Sequence, residues 1–127
     1  MREDLTVVKK GKGQLGLFTK KSIPRGATVL KLEGKVTPVP TRESIEVGTG
    51  EHITDEKEGV YINHSCDPSC EICREEREVR ALRDIPMGGE ITFDYNENET
   101  KMAFPFQCEC GAGEKCQGWI AGLKGRK

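Results

Sequence analysis

The amino-acid sequence predicts a single, mainly β domain made of short strands. The chain has 127 residues, which fits one domain with a modest core. Glycine is frequent, at 15 residues, whereas aromatic residues make up only 6% of the chain. Short apolar stretches alternate with turn-forming Gly and Pro, and neither heptads nor internal repeats occur. We therefore expect many turns and little long helix.

The individual elements follow from the positions of these apolar stretches and turns. Pro and Gly predict turns at 22–26 and 86–89. Segment 36–50 contains two Pro and two Gly, and its one plausible helix is a turn near 42–47. Short apolar runs lie at 17–19 and 60–62. The stretches that read as strands are 5–8, 27–32, 78–83 and 91–95.

The charge pattern limits the classes of partner. A formal net charge of −1 argues against a protein that binds nucleic acid through a general positive field. Acidic residues gather at 55–58, 75–78 and 94–99, and such runs are expected to be solvated surface. No segment resembles a signal peptide or a membrane span, so we expect an intracellular protein without membrane contact.

Three cysteines near the end of the chain predict a zinc site. In a reducing compartment the six cysteines are expected to be metal ligands or free thiols. Cys108, Cys110 and Cys116 supply three ligands for a tetrahedral ion, so a structural site needs a fourth. Cys70 and Cys73 form a CxxC pair that would complete a ribbon-like site with Cys108 and Cys110. Alternatively, they are small buried apolar residues on a strand.

Two further motifs precede these cysteines and point to a family. They are Asn63-His64-Ser65-Cys66 and Gly89-Glu90-Ile91-Thr92-Phe93-Asp94-Tyr95. In this order the three motifs resemble the SET-domain family of protein lysine methyltransferases with a zinc-binding post-SET tail. The resemblance implies a mainly β SET fold of several short curled sheets with a pseudoknot and a small zinc-bound lid. It divides the chain into a SET core at 1–99, a post-SET segment at 100–123 and a basic tail at 124–127.

The resemblance also implies the fourth metal ligand. In the family the cysteine of the Asn-His-Ser-Cys motif joins the three tail cysteines, which here is Cys66. This zinc ion would fasten the tail onto the cofactor site. Five residues separate Cys110 from Cys116, where the family usually has four, so the loop between them is longer.

The cofactor implied by the family is S-adenosylmethionine. The family's glycine-containing cofactor loop matches 14–18, with Leu15 and Gly16 as cofactor-binding residues and Gln14 in place of the first glycine. Gly13, one residue earlier, is a candidate replacement. By resemblance, Asn63 bonds the methionine part of the cofactor, and His64 holds the adenine end, partly through its backbone. Trp119 either covers the adenine or closes the tail's small core.

Tyr95 is the predicted catalytic residue. Methyl transfer is an in-line displacement that needs a neutral lysine, and neutralising an amine with a pKa of about 10.4 at pH 7 costs about 4.6 kcal/mol. Burial in an apolar channel and the nearby sulfonium charge lower that pKa, so no strong base is required. The tyrosine hydroxyl would orient the amine. Phe93 occupies a position that controls methyl number in the family and favours di- or trimethylation. Tyr61 either lines the lysine channel or packs in the core.

The leading hypothesis is an S-adenosylmethionine-dependent protein-lysine methyltransferase. The acidic stretch 94–99 would attract a lysine-containing basic peptide, such as a histone tail or another chromatin-associated protein. The short segment 32–61 leaves a groove that a second subunit would complete, so a homodimer is a candidate assembly. The expected compartment is the cytoplasm in a prokaryote or the nucleus in a eukaryote. The alternative is a zinc-containing, SET-like peptide-binding module without turnover. Direct binding of nucleic acid is not expected.

Overall fold

The computed structural model describes residues 4–9, 14–54, 56–100, 102–108 and 113–122, and within them the protein is mainly β as predicted. None of the described helices is long or apolar enough to cross a bilayer. The strands are β1 (Leu5–Lys9), β2 (Leu15–Thr19), β3 (Thr28–Lys31), β4 (Lys35–Thr37), β5 (Ile45–Gly48), β6 (Glu51–Thr54), β7 (Asn63–His64), β8 (Cys70–Cys73), β9 (Glu78–Ala81), β10 (Thr92–Phe93), β11 (Phe106–Gln107) and β12 (Trp119–Ile120); the helical turns are α1 (Tyr95–Asn98), Gly59–Tyr61 and Gly113–Lys115.

The strands form five small sheets. β1 and β2 make an antiparallel pair, and two three-stranded antiparallel sheets have the orders β3-β9-β8 and β4-β6-β5. β11 and β12 pair near the end of the chain. β7 and β10 are parallel, with Asn63 opposite Thr92 and His64 opposite Phe93. This last pair places two of the three sequence motifs side by side.

The core joins β2 to the segment that precedes β10. Leu17 and Ile91 are fully buried, and the Ile91 amide donates to the Leu17 carbonyl at 2.8 Å. The amide of Thr19 donates to the carbonyl of Gly89 at 3.0 Å, which continues the same contact. Since β2 contains most of the predicted cofactor loop at 14–18, these bonds set where that segment lies relative to β10.

Two of the sequence predictions about secondary structure are wrong. The turn of helix predicted near 42–47 is strand β5 from Ile45 onward, because pairing with Ile53 on β6 buries Ile45 and Val47. The strand predicted through 95 ends at Phe93, and Tyr95 begins α1. The carboxylate of Asp94 caps this turn by accepting from the Asn96 amide at 2.9 Å.

The acidic runs are not simply solvated surface, which corrects the sequence prediction in each of the three. Glu56, Glu58, Glu78 and Glu99 are all buried. The Glu56 carboxylate accepts hydrogen bonds from the backbone amides of Glu33, Glu58 and Gly59, at 2.6 to 3.1 Å. A buried carboxylate that caps otherwise unpaired amides is a structural element of the fold.

The last described segment is held against α1 by one side chain. Asn96 Oδ1 accepts from the amides of Ala121 and Gly122, at 3.1 and 3.0 Å. Gly122 has a φ of +109°, and a Cβ there would lie 2.7 Å from the Thr100 carbonyl oxygen. A glycine is therefore required at 122, where the backbone passes close to the carbonyl groups of Glu99 and Thr100.

Ser69 fastens the Asn-His-Ser-Cys loop to β10. Its Oγ donates to the carbonyl of Glu90 at 2.8 Å and accepts from the amide of Thr92 at 3.1 Å. The Ser69 amide in turn donates to Thr92 Oγ1 at 3.0 Å. Because Ser69 is buried, water cannot replace these bonds.

Replacing Ser69 by Ala is therefore expected to lower the free energy of unfolding by about 1–3 kcal/mol, since it leaves the buried Thr92 amide and Glu90 carbonyl unpaired. Urea unfolding followed by circular dichroism measures the change. The control is Ser22→Ala at an exposed position, which is expected to change stability by less than about 0.5 kcal/mol. Equal stabilities of the two variants would contradict this role.

Candidate functional site

A cleft of 1430 Å³ contains most of the residues that the sequence motifs predict. It opens between the start of β2, the β7–β10 pair, the loop before β5 and the segment that leads into β11. Of the predicted site residues, those that line it are Leu15, Tyr61, Asn63, His64, Phe93, Tyr95 and Cys108. Gln14, which replaces the family's first glycine, also lines this cleft.

Asn63 links the predicted cofactor loop to β10. Its side-chain amide donates to the backbone carbonyl of Leu15 and to a carboxylate oxygen of Glu90, both at 2.9 Å. The two acceptors lie on segments that are distant in sequence. This side chain therefore helps to bring the predicted cofactor loop at 14–18 and the Gly89–Tyr95 motif together beside the cleft.

Tyr95 lies at the centre of an aromatic group. Its hydroxyl donates to the carbonyl of Ile62 at 2.6 Å, and its ring centroid lies 4.8 Å from that of Phe93. The rings of His64 and Phe106 make edge contacts with it, at 5.2 and 6.2 Å between centroids. Phe93 and Tyr95 therefore remain neighbours although Tyr95 lies on a helical turn.

The phenol of Tyr95 stays protonated at neutral pH. Burial raises its pKa well above the ordinary tyrosine value, and the nearby carboxylates of Glu99 and Glu90 raise it further. A neutral hydroxyl can donate a hydrogen bond and orient a partner, but it cannot act as a strong base. This matches a role in alignment.

His64 connects Tyr95 to Cys66. Its Nδ1 accepts from the Tyr95 amide at 3.0 Å, and burial lowers the pKa of the imidazole despite the nearby Asp94 carboxylate. A neutral ring with an accepting Nδ1 carries its proton on Nε2. Nε2 lies 3.2 Å from the Cys66 sulfur and is in position to donate to it, and ligand atoms of His64, Cys66 and Cys108 all lie within 4.8 Å of one another.

Cys66 and Cys108 have the geometry of two zinc ligands. Their sulfurs are 3.8 Å apart. Tetrahedral coordination with Zn–S bonds of about 2.3 Å separates two sulfurs by about 3.8 Å. The amide of Gln117 donates to the Cys66 sulfur at 3.2 Å, and the Cys116 sulfur lies 3.8 Å from the Cys108 carbonyl oxygen. Cys110 lies outside the described residues. Cys66 and Cys108 are thus the two predicted ligands that the structure brings within reach of one ion, and Cys116 is not in that group of ligand atoms.

Cys70 and Cys73 lie elsewhere, on β8. Cys70 is buried opposite Ala81, and burial raises the pKa of its thiol to about 11. A thiol that resists ionisation is a poor zinc ligand. Neither residue belongs to the groups of described side chains whose ligand atoms lie close enough to share an ion. The geometry thus favours the reading of Cys70 as a small buried apolar residue.

Two predicted cofactor residues are not among those that line the cleft. Gly16 is buried within β2, opposite Val8 on β1. Trp119 lies on β12 opposite Gln107, with 47% of its surface exposed. Gly13, the proposed replacement for the missing loop glycine, lies outside the described residues.

Sequence reasoning missed a buried polar group behind Tyr95. Glu46 on β5 bonds Arg74 and Thr100, while Glu99 accepts from the Glu46 amide at 3.0 Å and from Asn98 at 2.8 Å. Glu99 lines the cleft, and burial together with the Glu46 charge raises its pKa to about 7. The one signal in the sequence was that Glu46 lies between the apolar residues Ile45 and Val47. Its meaning becomes clear only once this segment is known to be strand β5, which the sequence itself did not predict.

Comparison with known proteins agrees with this geometry. Residues 14–96 match the SET domain family model. The chain is 40% identical over 104 residues to the methyltransferase flvH of Aspergillus flavus, covering 80% of this chain and 58% of that protein. It is 37% identical over 73 residues to a histone-lysine N-methyltransferase of Arabidopsis thaliana, covering 50% of this chain and 4% of that protein.

A third relative is a histone-lysine N-methyltransferase of Debaryomyces hansenii that is specific for lysine 4 of H3. It is 43% identical over 67 residues, which cover 47% of this chain and 6% of that protein. The chain thus spans little more than half of the Aspergillus relative and a small part of the two histone enzymes. The match to the family model covers well over half of the chain and includes the Asn-His-Ser-Cys and Phe-Asp-Tyr motifs. This protein belongs to the SET-domain family and is related to methyltransferases.

Proposed function

We propose that this protein is an S-adenosylmethionine-dependent N-methyltransferase that acts on a lysine side chain of a protein substrate. The observation that carries the proposal is the position of Tyr95. Its neutral hydroxyl bonds the Ile62 carbonyl within the cleft that Leu15 and Asn63 also line. The methyltransferase relatives support the reaction class.

The proposed cofactor residues are Leu15, Gly16, Asn63, His64 and Trp119. S-adenosylmethionine would supply a methyl group on a positively charged sulfur. The side chain of Asn63 bonds both Leu15 and Glu90. The part of the cleft that would bind the cofactor is therefore held in place before the cofactor arrives. Gly16 lies inside β2, next to Leu15 and opposite Val8 on β1.

The chain's aromatic residues would align the reacting amine. Phe93, Tyr95 and Tyr61 line the cleft and offer apolar surface, while the Tyr95 hydroxyl and the Ile62 carbonyl are polar contacts at its end. Such surroundings favour the neutral amine over the ammonium form. The amine lone pair would displace the sulfur from the methyl carbon, and the amine proton would leave to solvent. Most of the acceleration would come from alignment and exclusion of water.

The proposed substrate is a basic segment of another protein. The exposed carboxylate of Glu43 lines the cleft, together with the buried Glu56 and Glu99. An exposed carboxylate at the cleft attracts lysine-rich sequences and raises the association rate. Two relatives are named histone-lysine methyltransferases, so histone tails are the first substrates to test. Phe93 carries no hydroxyl that would hold a water beside the amine, which favours more than one methyl per lysine.

Tyr95→Phe tests the catalytic assignment. It is expected to reduce methyl transfer to histone peptides by about 100-fold because the amine loses its orienting hydroxyl. The dissociation constant for S-adenosylmethionine, measured by calorimetry, is expected to stay within about threefold of wild type. Asn63→Ala is the contrasting variant, and about tenfold weaker cofactor binding is expected of it.

Equal transfer by wild type and Tyr95→Phe would contradict the assignment. Peptide binding by the wild type without any methyl transfer would instead favour a binding module.

The proposal includes a structural zinc ion bound by Cys66, Cys108, Cys110 and Cys116. The separation of 3.8 Å between the Cys66 and Cys108 sulfurs supports it. The ion would fasten the post-SET segment at 100–123 to the core at 1–99, next to the cleft that Cys108 lines. Because so short a segment has little core of its own, metal binding would contribute most of its folding free energy.

Cys116→Ser tests the zinc site. A mercurial thiol reagent is expected to release about one equivalent of zinc per chain from the wild type. The variant is expected to release none, because its three remaining thiolates hold the ion too weakly. A dye assay for free zinc measures the release. The matched control Cys73→Ser is expected to keep that zinc, because Cys73 lies on β8 outside the thiol cluster. Loss of zinc in the Cys73 variant and retention in the Cys116 variant would favour the ribbon-like alternative.

A further inference from the structure

A second group of potential metal ligands lies behind the cleft, separate from the thiol cluster. One oxygen of Glu46, one oxygen of Glu99 and one ring nitrogen of His52 all lie within 4.8 Å of one another. The three residues are 2%, 5% and 5% exposed. They come from β5, β6 and the residue that follows α1, so the fold converges on this point from three elements.

The charges of this group do not balance. Arg74 Nη2 bonds Glu46 Oε2 at 2.9 Å, and the amide and hydroxyl of Thr100 each donate to the same carboxylate at 2.6 Å. These donors lower the pKa of Glu46 although burial opposes ionisation, so Glu46 is an anion paired with one cation. Glu99 receives bonds from neutral donors only, the Glu46 amide and the Asn98 side chain. Glu99, whose pKa burial and the Glu46 charge raise to about 7, therefore has no bonded cation of its own among the described residues to favour its ionised form.

The histidine of the group has an unpartnered nitrogen. His52 Nδ1 is buried and has no hydrogen-bond partner, and it is the one buried side-chain nitrogen or oxygen among the described residues for which this is true. An unsatisfied buried polar atom costs about 1–3 kcal/mol, so native structures rarely keep one without a reason. The missing positive charge at Glu99 and the missing partner of His52 would both be supplied by one cation.

We propose that Glu46, His52 and Glu99 bind a divalent first-row transition metal ion such as Zn²⁺. One imidazole nitrogen and two carboxylate oxygens are a donor set that suits Zn²⁺, Fe²⁺ or Mn²⁺, whereas Ca²⁺ and Mg²⁺ take oxygen donors. Metal–ligand bonds of about 2.0–2.2 Å would draw the three donor atoms to within about 3.5 Å of one another. Small movements of side chains already close together achieve this.

The position of Glu99 gives the ion a route from solvent and couples the site to α1. Glu99 lines the cleft, so an ion can approach from solvent on that side. The Glu99 amide bonds the Tyr95 carbonyl at 2.8 Å and thereby closes α1. An ion shared by Glu99, Glu46 and His52 would fasten the end of this helical turn to the β4–β6–β5 sheet. Its effect is therefore expected to be on the stability of the wall that carries Tyr95.

The test starts from the full chain with its thiolate-bound zinc in place, to which Zn²⁺ is added in a calorimeter. One further equivalent is expected to bind to the wild type and to raise the melting temperature. Glu99→Gln and His52→Gln are expected to weaken this second equivalent at least tenfold while leaving the mercurial-releasable zinc unchanged. The matched control Glu97→Gln changes an exposed carboxylate two residues away and is expected to bind like the wild type.

The melting temperature of Glu99→Gln shows whether weaker metal binding results from loss of folding. Because it removes an uncompensated buried charge but keeps the shape, it is expected to melt no lower than the wild type when no metal is added. A wild type that binds no second equivalent overturns the proposal. So does a Glu99→Gln or His52→Gln variant that binds the second equivalent as tightly as the wild type.

Discussion

The parallel pairing of β7 with β10 is the contact on which the rest of the site depends. It joins only two residues from each strand, with the amide of Ser65 adding a bond to the Phe93 carbonyl at 3.1 Å. Two parallel strands need a long connection between them. Here the connection from β7 to β10 contains β8 and β9, which belong to the sheet with the order β3-β9-β8. Through this one contact Asn63 and His64 come to lie beside the Phe-Asp-Tyr motif. Without it, these side chains would share no cleft.

So short a pairing is reinforced by buried polar side chains that bond the backbone. Ser69 bonds both Glu90 and Thr92 on one side of β10, and Asn96 holds the end of the described chain on the other. Each such bond contributes about 0.5–1.5 kcal/mol, and leaving a partner unpaired costs more. Within the modest core of these 127 residues, such bonds add to the order that apolar packing provides.

His64 links Tyr95 to Cys66. One ring nitrogen accepts from the Tyr95 amide and the other donates to the Cys66 sulfur. A metal bound at Cys66 would hold the imidazole in this tautomer, and the imidazole holds the start of α1. The same short segment, from Asn63 to Cys66, thus contacts the loop at Leu15, the phenol of Tyr95 and the thiol of Cys108. A displacement of the segment at Cys108 would therefore shift Cys66 and His64 and, through them, Tyr95.

The sequence by itself determined the class of fold, the family and the aromatic and polar motif residues of the cleft, because these depend on short motifs whose spacing is local. Asn63, His64, Phe93 and Tyr95 could be named without coordinates. Tertiary structure alone decided the β4–β6–β5 sheet, the helical turn at Tyr95 and the burial of Glu46 and Glu99. The Glu46 carboxylate looks solvated in the sequence until its partner Arg74, 28 residues away, is brought against it. Long-range pairing and desolvation leave no local pattern in a single sequence.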